Sequence, residues 1–147
     1  MSTTVSLDEI EPLSARVDAL NEAAWFLRHR RKDEALELCR QAVALSQQAG
    51  YQPGLASALV TLSLIRALDF ALEESLLVSI EALGLMETLP LIPARAFAFV
   101  NIGWINYYRG DYSSALDYAL RGLDCASELG QPEPQAYAHD LLGTIHA

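Results

Sequence analysis

Apolar residues recur along the chain with the spacing of helix faces, and turn-forming residues interrupt them at regular intervals. Gly50 and Gly130 end apolar stretches, while Pro93 and Pro132 stand where new helices begin, positions at which proline is tolerated. We find no alternating strand pattern, so the sequence predicts an all-α protein. The seven predicted helices span 14–30, 33–49, 54–68, 72–88, 93–108, 112–129 and 133–146, with turns near Arg31, Asp69–Phe70 and Gly110–Asp111.

The helical pattern repeats every 40 residues without a gap. Residues 1–10 are predicted as a polar tail, followed by one domain over 11–147. Its repeats are 11–50, 51–90, 91–130 and the half repeat 131–147. Small residues align in four columns: Ala23, Ser63, Gly103 and Gly143; Ala35, Ser75 and Ala115; Cys39, Ser79 and Ala119; Ala42, Ala82 and Gly122. Large apolar columns run beside them: Trp25, Ile65, Ile105 and Ile145; Leu36, Leu76 and Leu116; Val43, Leu83 and Leu123.

The small columns predict where helices cross closely. Glycine inside a helix costs about 1 kcal/mol relative to alanine, so Gly103 requires a packing reason. We expect it to face the small residues of the next helix, such as Ala115. One helix pair cannot bury its own apolar face, so the pairs are expected to stack.

Composition narrows the classes of function. A net charge of −9 opposes binding to nucleic acid and to anionic membranes. No apolar run has the length of a membrane span, and the N-terminus lacks the order of a secretory signal. We therefore expect a cytoplasmic protein. Two cysteines, Cys39 and Cys125, make no disulfide framework and are expected to be small buried residues.

Residues 98–116, within the third repeat, closely resemble the tetratricopeptide-repeat (TPR) motif. Here Gly103, Gly110, Tyr112 and Ala115 match the family's small residue, turn glycine, aromatic and small residue. Residues 141–147 match the start of the same motif, and the first two blocks are weaker but in register. The resemblance covers about residues 14–147 and implies a right-handed α-α superhelix, a TPR-like solenoid of three and a half helix pairs.

The long repeat and the opening segments 20–29 and 34–39 resemble the N-terminal repeats of bacterial signalling proteins. Such repeats commonly precede a diguanylate cyclase, nucleotide cyclase or histidine kinase domain. The resemblance therefore implies a protein-interaction or sensory scaffold module of a bacterial regulatory protein. The half repeat at the end suggests an N-terminal fragment of a longer protein, with a natural C-terminal cap as the alternative.

In this family the first helix of each pair lines a concave groove, which implies a groove that is apolar and aromatic here. The family's clamp for a C-terminal carboxylate is not expected, because its positions in this sequence hold no cation. We predict instead that an apolar or amphipathic helix or peptide binds in the groove. Part of the aromatic set would alternatively be core. The predicted groove residues are Leu64, Phe97, Val100, Asn101, Trp104, Tyr107, Tyr108, Tyr137 and Asp140.

Two further functions stay open. Self-association would bury the outer face of the last helix, formed by Leu141, Leu142 and Ile145, and give a homodimer. The groove would otherwise serve as a sensor for a short peptide or small signal molecule. No cofactor is expected.

No arrangement of residues predicts catalysis or a metal site. His139 and His146 are seven apart, whereas zinc ligands on one helix are three or four apart. The basic cluster of 28–32 is interpreted as a solvated turn beside acidic residues, with contact to an acidic partner or phosphate as the alternative. Glu22 and Arg66 stand in largely uncharged columns, and we expect them to pair with each other, or Arg66 with Asp69 or Glu73.

Overall fold

The computed structural model describes the backbone of residues 5–147 and the side chains of residues 13–147. Over this part of the chain the protein is all-α, with seven helices and no strand. None of these helices is both long and apolar enough to cross a bilayer. The helices are α1 (Val5–Leu27), α2 (Lys32–Ala49), α3 (Gln52–Leu68), α4 (Leu72–Met86), α5 (Pro93–Tyr108), α6 (Tyr112–Leu129) and α7 (Pro132–His146).

The predicted helices and turns are confirmed, with one clear difference at the N-terminus. The helix α1 begins at Val5, so residues 5–10 of the predicted tail form its first turns, while residues 1–4 lie outside the described residues. Gly50 and Gly130 end α2 and α6 in the left-handed conformation that glycine adopts without strain.

The helices form two layers. Consecutive helices pack as antiparallel neighbours, and α1, α3, α5 and α7 also contact one another in that order. Among the seven described helices, the even-numbered α2, α4 and α6 contact only odd-numbered ones. The odd-numbered helices therefore share one surface, which we call the inner face. The right-handed superhelical path stays a prediction.

The 40-residue period is visible in which residues are buried. Each even-numbered helix buries four positions with the same spacing, and all but Met86 are small. The buried sets are Ala35, Cys39, Ala42 and Ser46 in α2; Ser75, Ser79, Ala82 and Met86 in α4; and Ala115, Ala119, Gly122 and Ala126 in α6. Small side chains at these positions allow close approach of the odd-numbered helices.

Gly103 shows what the small columns accomplish. A Cβ atom at this position would lie 2.6 Å from Leu141 Cδ2 and 3.2 Å from the carbonyl oxygen of Ala115. Leu141 of α7 thus inserts into a hollow made by Gly103, Ala115 and the backbone of Ala119 in the preceding repeat. The expected packing reason for Gly103 is present, and the side chain that requires it comes from the next repeat.

The preceding repeat uses a polar version of the same contact. Asn101 stands 40 residues before Leu141, and its Nδ2 lies 2.9 Å from Ser75 Oγ, 3.1 Å from Ser79 Oγ and 3.4 Å from Ser63 Oγ. These serines occupy the columns of Gly103, Ala115 and Ala119. An amide therefore fills a hollow lined by hydroxyls, whereas a leucine fills one lined by carbon. This matching favours one register between repeats.

Ion pairs connect the turns on the surface. Lys32 pairs with Asp69, and Arg109 with Glu73, each joining the turns of successive repeats. Exposed pairs of this kind contribute at most about 1 kcal/mol each. They account for part of the basic cluster, since Arg31 also pairs with Glu34 at 3.2 Å.

The predicted pairing of Glu22 with Arg66 is wrong. Arg66 pairs instead with Glu74, at 3.1 Å, one residue beyond Glu73 in the first turn of α4. Glu22 is exposed on α1. The uncharged residues in the columns of Glu22 and Arg66 suggested that both charges are buried. Both side chains reach solvent, however, so they do not need to pair with each other.

The two cysteines differ in burial. Cys39 is buried in α2, and the loss of solvent around it raises the pKa of its thiol to about 11. Cys125 is only half-buried, so the prediction of a buried residue is wrong for it. Its thiol pKa is also raised, mainly by burial.

Candidate functional site

A cavity of about 210 Å³ lies on the inner face, toward the ends of α1, α3 and α5. Aromatic and aliphatic side chains dominate its lining. Its lining residues are Trp25, Arg28, His29, Leu64, Ala67, Leu68, Phe97, Asn101, Trp104, Tyr108 and Tyr137. We call this space the inner cavity.

Three aromatic rings, tilted against one another, form one wall of the inner cavity. Phe97 of α5 lies between Trp25 of α1, with ring centroids 4.6 Å apart, and Tyr137 of α7, with centroids 5.4 Å apart. Phe97 is only 6% exposed. The wall therefore joins three odd-numbered helices. Phe97 is held between the other two rings and is not an exposed side chain free to bind a partner.

A polar clasp crosses from α1 to α7. The indole Nε1 of Trp25 donates a hydrogen bond to Glu133 Oε2 at 3.1 Å, and Arg28 lies 3.9 Å from the same oxygen. The guanidinium of Arg28 stacks on the Trp25 ring at 3.7 Å and donates to the Trp25 carbonyl oxygen at 2.6 Å. Trp25 is thus fixed on both its ring face and its ring edge.

Burial shapes the charges around the clasp. Loss of solvent lowers the pKa of Arg28, and the Glu133 carboxylate opposes that shift. Burial also lowers the pKa of His29, assisted by the neighbouring Arg28 charge. Burial raises the pKa of the Tyr137 hydroxyl well above its usual range. The cavity therefore holds a phenol that stays neutral at ordinary pH.

Five aromatic rings continue from the cavity to the surface at the turn end of α5. We call Phe70, Trp104, Tyr107, Tyr108 and Tyr112 the aromatic cluster. Neighbouring rings lie 5.4–5.9 Å apart, with Trp104 stacked on Tyr108. Tyr108 is 52% and Phe70 66% exposed. Much apolar ring surface at the cavity mouth therefore faces solvent.

Phe70 has an unusual backbone conformation. Its φ of 58° lies in the left-handed region, where a side chain costs about 1–2 kcal/mol. Gly110 occupies the same place in the next repeat, with φ 81°. Phe70 gains little burial for this strain, since its ring mainly contacts Tyr108 edge-on. A strained backbone conformation that is not compensated by buried contacts is typical of functional sites.

A larger and more acidic space, of about 480 Å³, adjoins the inner cavity across Trp25 and Phe97. Asp18, Glu22 and Glu133 line it, together with the polar side chains of 21, 57, 61 and 131. Asp18 accepts a hydrogen bond from Tyr51 Oη at 2.9 Å. The inner face thus has an aromatic half with Arg28 and an acidic half, separated by the ring wall.

The structure brings most of the predicted groove residues together. Leu64, Phe97, Asn101, Trp104, Tyr108 and Tyr137 all line the inner cavity. Tyr107 belongs to the aromatic cluster, and Asp140 is exposed on α7 close to Tyr137.

Two predicted site residues are misplaced. Val100 is fully buried and faces Gly122 of α6, where a Cβ atom would collide with it. Leu141 is fully buried against Gly103, so it is not part of an open outer face. Leu142 and Ile145 remain half-buried. Both corrections have one cause: these side chains fill the hollows left by the small columns.

The sequence reasoning missed Trp25 and Phe70 as site residues. Trp25 shares a column with Ile65 and Ile105, which are buried, so the column alone gives no sign that Trp25 lines the inner cavity. The position of Phe70 carried a usable signal, because an aromatic residue stands there where the next repeat has a turn glycine.

The arrangement defines an all-α protein of repeated helix pairs with an aromatic, partly charged inner face. Comparison of the sequence with protein-family models and with curated proteins finds no match.

Proposed function

We propose that this protein is a TPR-like interaction module of a bacterial regulatory or signalling protein. Its inner face binds an apolar or amphipathic helix or peptide, as a sensory scaffold and not as an enzyme. The observation that carries the proposal is the aromatic cluster at the mouth of the inner cavity. Tyrosine and tryptophan are the side chains most often found at the energetic centres of interfaces.

The strained Phe70 supports the same surface. A turn with glycine at this position would be cheaper, as Gly110 illustrates in the next repeat. Keeping an exposed ring there extends the apolar surface beyond the cavity. Exposed apolar patches of this kind mark interaction sites on proteins in water.

Selection of binders from a library of displayed amphipathic helical peptides tests the proposal. Peptides selected on the wild type should bind the Tyr108→Ala variant about tenfold more weakly, which corresponds to a hot spot of about 1.4 kcal/mol. Leu77→Ala is the matched control, because Leu77 is a large exposed apolar residue on the even-numbered helix α4. Binders that lose affinity on Leu77→Ala and keep it on Tyr108→Ala would contradict the proposed site.

Self-association is a second candidate, favoured by Gly143. This glycine stands in the column of Gly103, yet among the described residues no neighbouring atom lies within 4 Å of a Cβ built on it. Together with Leu142 and Ile145 it gives α7 a partly open apolar side. Light scattering over a concentration series tests this function. A dimer that Leu142→Glu dissociates would support it, whereas a monomer at every concentration would exclude it.

A further inference from the structure

The inner cavity matches one large side chain better than a whole small molecule. Its volume of about 210 Å³ is smaller than the roughly 300–1,000 Å³ of pockets that enclose drug-sized ligands. Rings of Trp25, Phe97, Trp104 and Tyr108 line it, and flat walls favour a flat aromatic occupant. The aromatic cluster lies at its mouth, so a peptide on that cluster can insert one residue.

Asn101 lines the cavity and carries a buried hydrogen-bond acceptor. The Ser63 hydroxyl donates to the Val60 carbonyl oxygen at 2.7 Å, and the Ser75 hydroxyl donates to the Ser63 carbonyl oxygen at 2.6 Å. Both serines can therefore only accept from Asn101, which directs its Nδ2 toward them. Asn101 Oδ1, on the other side of the amide, is buried and has no hydrogen-bond partner among the described residues. Asn101 is 1% exposed and lines the cavity, so a donor on the occupant would supply the partner that this oxygen lacks.

A tryptophan side chain meets these conditions together. Its indole is flat and large, and its Nε1 is a donor without acceptor character. Phenylalanine and leucine fill space but leave Asn101 Oδ1 without a donor. Lysine and arginine bring donors, but their charge opposes the Arg28 guanidinium in the same wall.

The chain that carries this tryptophan passes an acidic surface. The acidic half of the inner face, with Asp18, Glu22 and Glu133, begins directly across the Trp25–Phe97 wall. The whole protein has a net charge of −9. Charge complementarity therefore favours basic residues beside the anchor.

We infer that the inner cavity is a socket for one tryptophan of a basic amphipathic partner segment, whose indole N–H donates to Asn101 while its flanking lysines or arginines face the acidic half. This inference rests on the proposed function and specifies the partner's chemistry.

Three designed amphipathic peptides test the inference by isothermal titration calorimetry. The first carries lysines on its polar face and one central tryptophan. The second replaces that tryptophan by naphthylalanine, which has a similar ring area and no N–H. The third replaces the lysines by glutamates. We expect the naphthylalanine peptide to bind about tenfold more weakly and the glutamate peptide more than tenfold more weakly. The tryptophan peptide should also lose affinity as salt is added.

Protein variants locate the binding. Ala67→Phe fills the cavity and should weaken the tryptophan peptide at least tenfold, whereas Ala44→Phe on α2 places the same ring elsewhere. Glu22→Lys should weaken it several-fold. Glu128→Lys is its control, because it makes the same change of net charge on an exposed part of α6. Circular dichroism melting curves confirm that each variant is folded before titration.

The outcomes separate the two claims. Losses with naphthylalanine, with Ala67→Phe and with Glu22→Lys support the socket. Peptides that bind equally well with either ring and with Ala67→Phe, yet weaken on Tyr108→Ala, overturn the socket and leave the inner face as the binding surface. Binding that none of the inner-face variants changes, or no binding by any of the peptides, overturns the socket and counts against the proposed function.

Discussion

Phe70 shows, at the scale of a single residue, a choice that stability alone does not explain. Its backbone is left-handed at φ 58°, its ring is largely exposed, and Gly110 fills the same role without strain 40 residues later. Residues that lower stability at an exposed surface are expected where a surface has another use.

Replacing Phe70 by glycine should raise stability and weaken binding. Relief of the left-handed strain exceeds the loss of one exposed ring contact, so Phe70→Gly should increase the free energy of unfolding by about 0.5–1 kcal/mol. Urea denaturation measures this change. Gly110→Ala is the converse variant and should lose about 1 kcal/mol. A less stable Phe70→Gly protein would show that the ring has a structural role that its exposure conceals.

At the scale of helices, the small columns act as hollows, and the hollows at Gly103 and Ser63 each receive a side chain from the next repeat. Leu141 fills the hollow at Gly103, and Asn101 fills the serine-lined hollow of the repeat before it. The fit between an incoming side chain and its hollow therefore fixes how far apart successive helix pairs lie.

The two glycines of one column should respond in opposite ways to alanine. Gly103→Ala places a Cβ atom against Leu141 and the Ala115 backbone, so overpacking should cost about 1–3 kcal/mol. Gly143→Ala meets nothing within 4 Å in the part of the chain that the structure describes, and it should stabilise α7 by up to about 1 kcal/mol through helix propensity. Thermal unfolding compares them directly. Equal effects at the two positions would mean that Leu141 does not pack as described.

The serine-lined hollow and its Asn101 should be replaceable by an apolar hollow and a leucine, provided that all four residues are changed together. Asn101→Leu alone places an apolar side chain against three hydroxyls and should destabilise the protein by about 1–3 kcal/mol. Combining it with Ser63→Gly, Ser75→Ala and Ser79→Ala recreates the contact around Leu141, so part of that loss should be recovered. The coupling free energy in a mutant cycle, measured by urea unfolding, should favour the combined variant by about 1 kcal/mol or more. If the changes in the free energy of unfolding are strictly additive, the side chain and its hollow are not matched to each other.

At the scale of the whole molecule, the odd-numbered helices are joined into one face by contacts far apart in sequence. Trp25 reaches Phe97 of α5 and Glu133 of α7, although α1 and α7 are not packed against each other along their lengths. The ring wall and the polar clasp therefore connect α1, α5 and α7 across the inner face. An incoming peptide would meet a surface that is already ordered.

The sequence predicted the elements of this architecture better than its surfaces. Helix ends followed from turn residues such as Gly50, and the close contact at Gly103 followed from its column. The period predicts where each Cα atom lies but not the side-chain rotamer. The prediction therefore placed Val100 in the groove although it packs against α6, and it did not identify Trp25 as a residue of the inner cavity. The contacts of Trp25 with Phe97 and Glu133 join residues far apart in the sequence. They depend on how the repeats stack, and the sequence of a single repeat does not determine that.

A partner segment bound at the inner face would change the surroundings of both tryptophans of the chain, which therefore report on this binding directly. Trp25 and Trp104 both line the inner cavity, so each contributes one indole N–H signal to a proton–nitrogen correlation spectrum. Titration with the lysine-rich tryptophan peptide, labelling only the protein, should shift both indole signals in the wild type, and Ala67→Phe should suppress the shifts. At saturating peptide, both indole signals could stay in place while amide signals of α2, α4 and α6 shift. That result would contradict binding at the inner face.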